Sequence, residues 1–267
     1  AVGRDVTRFV VGDRVFGMLN LDIQRPDGTK LTSALGNHCS HAVLPFDLGD
    51  GIGRVPDGVS HDAASMFVMP AVGLFGTDMA DPRLGETAVV IGCGPIGLGV
   101  VAACAQRGCR VIASDLQPSR LAMAEALGAK RVVKADAEDL REVVQSCCPD
   151  GADVVFESTG IPAMIERSIA LCRLRGKLVW QGNYGNAPLS FHFLPPHEKR
   201  LTMFFPSDDG QMPCRMAVLN GMASGSLAWE KTITHRVAAS DAPALYERIS
   251  AGEADDLVGA VIHWSER

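Results

Sequence analysis

The sequence predicts an α/β chain organised around a doubly wound parallel sheet, and three observations carry that expectation. Apolar runs of strand length alternate with helix-length segments from about residue 72 to 205. Proline and glycine fall where those helices would start and stop. The composition, 267 residues with 47% hydrophobic and 21% charged, is that of a chain able to bury a large core.

Taken in order, residues 1–70 are rich in Gly, Asp and Pro. Their short β-prone runs, Phe9-Val10-Val11 and Arg14-Val15-Phe16, are broken by Gly12-Asp13 and Pro26-Asp27-Gly28, which reads as small strands and loops. The sheet strands follow at Ala88–Ile91, Val111–Ala113, Arg131–Lys134, Asp153–Phe156, Leu178–Gln181 and Leu201–Phe205. Helices are expected near 95–107, 118–127, 138–147 and 162–173, with Pro118 and Pro162 in first turns and Gly108 and Gly128 as C-terminal caps. Strands joined by helices make βαβ units, which bury both faces of a sheet. The last stretch offers helices near 211–223 and 241–251 and strands at Thr232–Arg236 and Val258–Ile262. The chain thus divides at 1–71, 72–205 and 206–267.

A net charge of −6 gives no basic surplus to neutralise a phosphate backbone, so nucleic acid is not the expected partner. No apolar run approaches the roughly 20 residues that span a bilayer. The start, Ala1-Val2-Gly3-Arg4-Asp5, has no signal-peptide pattern, and a cytoplasmic chain is expected. Eight cysteines are scattered without a CxxC pair, which predicts reduced, mostly buried thiols rather than a zinc ribbon or a disulfide framework.

The first predicted sheet strand runs directly into Gly92-Cys93-Gly94-Pro95-Ile96-Gly97, and a helical segment follows. In this context each glycine has a task. Gly92 permits the tight turn, Gly94 lets backbone approach a pyrophosphate, and Gly97 lets helix pack on sheet. Unpaired amides at the helix start then face the phosphates. The next strand ends in Asp115, where an acid accepts hydrogen bonds from ribose hydroxyls. Together these features predict a Rossmann dinucleotide site. Because a carboxylate repels a 2′-phosphate, NAD is expected over NADP. Arg120, one helical turn on, could neutralise a phosphate, support the ribose or lie on a solvated face. Asp115 could also cap the helix that begins at Pro118.

With these residues in place, the chain resembles the medium-chain dehydrogenase/reductase superfamily, in particular zinc-type alcohol and polyol dehydrogenases. The tags, in order, are Val11-Gly12-Asp13-Arg14-Val15, Val55-Pro56-Asp57-Gly58-Val59-Ser60 with Asp62-Ala63-Ala64, Gly85-Glu86-Thr87, Leu127-Gly128-Ala129, Asp153–Gly160, Arg175–Val179 and Ile233-Thr234-His235-Arg236. The resemblance implies a partial GroES-like catalytic domain, made of the first and last parts, around the dinucleotide domain. It also implies that Ser158, Thr159, Gly160, Gly182, Asn183 and Tyr184 line the nicotinamide half of the groove, and that Arg236 contacts the pyrophosphate. His235 is expected to bond locally. Phe191–Phe205 resembles the edge strand that pairs across a two-fold axis, which implies a homodimer or homotetramer.

The zinc chemistry of that family is not legible here. Its ligands are an early Cys, a His just ahead of the point where this chain opens without Met, and an acid or Cys just before the nucleotide domain. The resemblance therefore implies residues preceding Ala1. The third position falls in Ser65–Pro70, which holds no Cys, Asp or Glu, and Phe16–Leu35 has no cysteine for a structural zinc lobe. Asn37-His38-Cys39-Ser40-His41 offers donors but not enough on one strand face to close a tetrahedral site. No metal ligand or catalytic acid or base is assigned. The expected activity is NAD-dependent hydride transfer between a secondary alcohol or polyol and its ketone, with Phe67, Tyr184 and Phe205 as candidate substrate contacts. The alternatives are a zinc-free NADPH quinone or enoyl-type reductase and a non-catalytic NAD-binding protein.

Overall fold

The computed structural model describes residues 1–17, 21–24, 27–33, 38, 40–42, 44 and 51–264. The first part contributes β1 (Val15–Gly17), β2 (Leu21–Gln24), β3 (Lys30–Ser33) and β4 (Ile52–Arg54), with β1 antiparallel to β4 and β2 antiparallel to β3. Two helices follow, α1 (His61–Ser65), capped by the Ser60 hydroxyl, and α2 (Val68–Ala80).

Next comes the alternating run: β5 (Thr87–Ile91), α3 (Pro95–Gln106), β6 (Arg110–Asp115), α4 (Pro118–Ala126), β7 (Arg131–Lys134), α5 (Leu140–Cys147), β8 (Ala152–Glu157), α6 (Met164–Leu171), β9 (Cys172–Trp180), α7 (Leu194–Glu198) and β10 (Thr202–Phe204). The six strands form one parallel sheet in the order β10-β9-β8-β5-β6-β7. Chain direction across the sheet reverses between β5 and β8, the switch point at which such sheets open a crevice. The chain ends with α8 (Gln211–Ala223), a short 3₁₀ turn at Trp229–Thr232, β11 (Ile233–Ala238), α9 (Ala242–Ser250) and β12 (Gly259–His263), the last two strands pairing in parallel.

The period-2 alternation of the strands sorts their side chains onto two apolar layers. Ala88, Val90, Val111, Ala113, Val154, Phe156 and Val179 pack beneath α2, α3 and α8, whereas Val89, Ile91, Ile112, Val133, Val155 and Leu178 pack against α5 and α6. Helices α2 and α3 come into direct backbone contact where Gly73 and Gly99 meet the other helix. A Cβ on Gly73 would lie 2.6 Å from the Val100 nitrogen, and one on Gly99 would lie 2.7 Å from the Pro70 Cα. The N-terminus of α8 is fixed by a buried ion pair, in which Arg215 donates from Nε to Asp209 Oδ2 at 2.7 Å and from Nη2 to Oδ1 at 3.0 Å.

Three expectations are corrected. Phe9-Val10-Val11 is a turn: Asp13 Oδ2 accepts from the Val10 amide at 2.8 Å and the Asp13 amide returns to the Val10 carbonyl at 3.1 Å, so the run bends before it can pair. Strand β9 begins at Cys172, not Leu178, directly after α6 with no intervening loop. The helix-end carbonyls there are satisfied by Lys199, whose Nζ donates to Ile169 O, Ala170 O and Cys172 O at 2.6–3.0 Å. Pro162 lies in the turn before α6 rather than in its first turn. Residue 71 falls within α2, so a helix runs through the point where the first and second parts meet. Among the described residues no helix is long and apolar enough to cross a membrane.

Candidate functional site

The site begins where β5 stops. Gly92 takes a φ of +90°, a region closed to most side chains, and its amide donates to Ser114 O at 2.8 Å. A Cβ on Gly97 would sit 1.9 Å from the Gly92 carbonyl oxygen, so the first turn of α3 lies directly on the loop that precedes it. A Cβ on Gly94 would meet nothing within 4 Å, which leaves this face of the loop open to an incoming group. Pro95 occupies the first helical position, and the Ile96 and Gly97 amides stand at the positive end of the helix. An open backbone cradle of this kind fits a pyrophosphate.

Asp115 ends β6 and is 9% exposed. Its Oδ2 accepts from the Cys93 amide at 2.7 Å and its Oδ1 from the Gln117 amide at 2.8 Å. Each oxygen retains acceptor capacity, since a carboxylate has about four lone-pair directions. The acid thus braces the glycine loop and has acceptor capacity to spare for an incoming hydroxyl, whereas the helix cap also considered from the sequence is not formed: α4 begins after Gln117 with no side-chain cap. Arg120 Nη1 lies 3.9 Å from Asp115 Oδ2, so the guanidinium is drawn toward this carboxylate rather than lying free on the helix face.

At the matching end of β8, Glu157 is 1% exposed and, among the described residues, has no cationic partner within ion-pair distance. Its side chain accepts from four donors: the Thr159 amide at 2.9 Å, the Gly160 amide at 3.1 Å, the Thr159 hydroxyl and the Tyr184 hydroxyl. Its carbonyl accepts from the Gln181 and Gly182 amides, each at 2.8 Å. One residue thereby ties Ser158–Gly160 to Gly182–Tyr184. The two loops touch, because a Cβ on Gly160 would come within 2.5 Å of Asn183 O and one on Gly182 within 2.3 Å of the Gly160 nitrogen. Ser158 adjoins the glycine turn, lying 3.4 Å from the Cβ position of Gly97, and its Oγ is buried without a protein partner. Burial, and then the bond to Glu157, push the Tyr184 hydroxyl well above its ordinary pKa.

The structure brings the glycine turn, Asp115, Arg120, Ser158–Gly160 and Gly182–Tyr184 to this end of the sheet. Arg236 is held by carboxylates: its Nε donates to Asp62 Oδ2 at 2.5 Å and its Nη2 to Glu230 Oε1 at 3.4 Å. Asp62 also accepts from His263 at 2.8 Å, so the arginine belongs to a latch between α1, β11 and β12. Phe67 is likewise not free for substrate, being 4% exposed with its ring centroid 4.6 Å from that of Phe16. Phe205 is exposed and lies against Trp180 at 5.1 Å. His235 bonds to Thr234 at 2.9 Å. Glu157 is the site residue that the sequence does not flag; its signal is an acid at the end of an otherwise apolar buried run.

For a zinc ion the described residues offer no ligand set. Among the described residues no group of three or more His, Cys, Asp or Glu side chains could hold a metal. In the Ser65–Pro70 window the Met66 thioether packs against Gly259. His38 bonds to the Tyr246 hydroxyl at 2.7 Å and His41 to Ser40 at 3.2 Å, while Asn37 and Cys39 lie outside the described residues.

Against known proteins, residues 95–220 match the family described as zinc-binding dehydrogenase. Sorbitol dehydrogenases 2 and 1 of Saccharomyces cerevisiae are each 30% identical over 271 residues, covering 92% of this chain and 74% of theirs. Alcohol dehydrogenase TADH from Thermus sp. ATN1 superposes with a TM-score of 0.74 at 25% identity, over 83% of this chain and 65% of that one. 2R,3R-butanediol dehydrogenase from Bacillus subtilis superposes with a TM-score of 0.78 at 23% identity, over 98% of this chain and 77% of that one, a likeness of fold.

Proposed function

The chain belongs to the zinc-binding, medium-chain alcohol and polyol dehydrogenase family, and from that premise we propose that it is an oxidoreductase passing a hydride between a secondary alcohol or polyol and NAD. The Asp115 geometry carries the choice of cofactor: a nearly buried carboxylate at the end of β6, already braced by two amides, accepts ribose hydroxyls and repels a 2′-phosphate. Arg120 balances part of that charge without displacing it. The Gly92–Gly97 turn would hold the pyrophosphate, and Ser158–Gly160 with Gly182–Tyr184 would border the nicotinamide. When bound, the nicotinamide supplies the hydride acceptor, and these residues orient it and exclude water from one face. Since the described residues offer no zinc ligand set, no step here passes through a metal. Sorbitol dehydrogenase relatives favour this reading over a quinone or enoyl reductase and over a protein without chemistry.

The same reading takes 1–71 and 206–267 as parts of a catalytic domain around a dinucleotide domain at 72–205, in a cytoplasmic protein. It also takes β10, whose free edge lies near exposed Phe193, Leu194 and Phe205, as the seam of a homodimer or homotetramer. Titration of the full chain with NADH and NADPH tests the cofactor. NADH is expected to bind more tightly, and Asp115→Asn to narrow or reverse the difference. A wild-type preference for NADPH, or no binding of either, defeats the proposal.

A further inference from the structure

The carboxylate of Glu157 is buried, and among the described residues it meets four hydrogen-bond donors and no cation within ion-pair distance. Hydrogen bonds disperse a charge without cancelling it, and away from water its field is weakly screened. The carboxylate lies close against both loops: a Cβ on Gly182 would come within 3.0 Å of Oε2, and Oε1 receives the Thr159 amide at 2.9 Å. Asp115, the other acid of the site, differs in having Arg120 at 3.9 Å.

The sheet order decides what that field reaches. Asp115 ends β6, the glycine turn follows β5 and Glu157 ends β8; these three strands are neighbours in that order, and β9, which leads to Gly182–Tyr184, is next. Neighbouring strands lie about 4.8 Å apart. A dinucleotide with its adenosine ribose at Asp115 and its pyrophosphate over the glycine turn therefore has one direction left, across the ends of β8 and β9. The loops already adjoin there, because a Cβ on Gly92 would come within 2.9 Å of Thr159 Cγ2 and 3.1 Å of the Thr159 nitrogen. The nicotinamide half would thus lie within one or two strand spacings of the Glu157 carboxylate.

An oxidised nicotinamide ring carries a positive charge and a reduced ring carries none. We propose that Glu157 determines specificity for the redox state of the cofactor: its negative charge, unmatched by a cation, makes the site bind NAD⁺ more tightly than NADH. The inference rests on the dinucleotide reading of the glycine turn and adds which form is held. For a unit charge about 10 Å away at an effective dielectric of ~20, the attraction amounts to roughly tenfold in affinity. Adenosine, pyrophosphate and the second ribose are common to both forms, so the preference belongs to the ring. A site biased in this way loads with the oxidised cofactor, the form that takes a hydride from an alcohol, and loosens its hold once the ring is neutral.

Calorimetric titration of the full chain with NAD⁺, NADH and ADP-ribose is the test. ADP-ribose lacks the nicotinamide and reports the shared part of the site. All three are expected to bind, with wild type holding NAD⁺ about tenfold more tightly than NADH and Glu157→Gln bringing that ratio close to one. Tyr184→Phe, which keeps the carboxylate, should keep the ratio even where both affinities fall. A general disturbance of the loops acts on both cofactor forms, so the ratio isolates the charge. ADP-ribose binding together with wild-type NADH binding as tight as that of NAD⁺ would overturn the proposal and leave the dinucleotide reading standing; failure of all three to bind would overturn both. A Glu157→Gln protein that keeps the ratio, or a Tyr184→Phe protein that loses it, would also refute the role of the charge. The wild-type comparison needs no variant, so it decides the matter even if Glu157→Gln folds poorly.

Discussion

Replacing Glu157 with glutamine keeps the side chain's size but gives it one acceptor and one donor end. In the native arrangement Oε1 receives the Thr159 amide and hydroxyl, and Oε2 receives the Gly160 amide and the Tyr184 hydroxyl. Each end thus faces one backbone N–H and one hydroxyl. A hydroxyl can turn and accept from an amide NH₂, but a backbone N–H cannot. Whichever way the glutamine flips, one backbone N–H, that of Thr159 or of Gly160, points at another donor in a site that is 1% exposed. Leaving a buried donor unsatisfied costs about 1–3 kcal/mol, and the three surviving bonds weaken as the acceptor loses its charge, so a total of about 2–4 kcal/mol is expected. Tyr184→Phe, which removes one hydroxyl and leaves the acid three donors, should cost about 1 kcal/mol. Equilibrium urea unfolding of the three proteins measures both numbers. A Glu157→Gln protein within about 0.5 kcal/mol of wild type, the ordinary range for surface changes, would refute the account of a single carboxylate tying the two loops together.

Glycines 94 and 97 should behave oppositely. Gly94→Ala enters open space and should leave the unfolding temperature unchanged while weakening NADH binding in a titration; Gly97→Ala drives its methyl into the Gly92 carbonyl and should lower both. Arg215→Met strands Asp209 without its charge partner and should destabilise by about 3–5 kcal/mol in urea, with part recovered when Asp209→Leu is added. A single mutant as stable as wild type would show that the pair is not needed. Tyr184 should titrate above the value near 10 of free tyrosine, because burial and Glu157 favour its neutral form. Its contribution to stability is therefore complete below pH ~10 and is lost as pH climbs beyond it. In a Tyr246→Phe background, where it is the remaining tyrosine, absorbance at 295 nm rising fully near pH 10 would contradict this.

The sheet was legible because its buried strands are written in Val, Ile and Ala, bounded by glycine turns, and both faces are covered. Val89, Val90, Ile112 and Val155 are all inaccessible to solvent. The glycine turn and Asp115 were legible because tight turns and phosphate approach restrict residue type. Glu157 was not, since an acid after an apolar run has the same local pattern whether it faces solvent or four donors. The carboxylate partner of Arg236 was not legible, since a guanidinium on a strand suits a phosphate and a carboxylate equally and Asp62 lies 174 positions away in sequence. Phe9–Val11 was misread because one side chain, Asp13, captures the amide a strand would need.

The crossing of α2 and α3 at Gly73 and Gly99 leaves no cushion between the rod that leads into the sheet and the rod whose tip carries the glycine turn. Two bare backbones in contact have no rotamers with which to absorb a shift, so a push on either one is passed on at full stroke. Movement in the first segment of the protein would therefore arrive at the glycine turn as displacement, not as rearranged side chains, and any bulkier residue at this joint would act as a wedge that changes the angle between them.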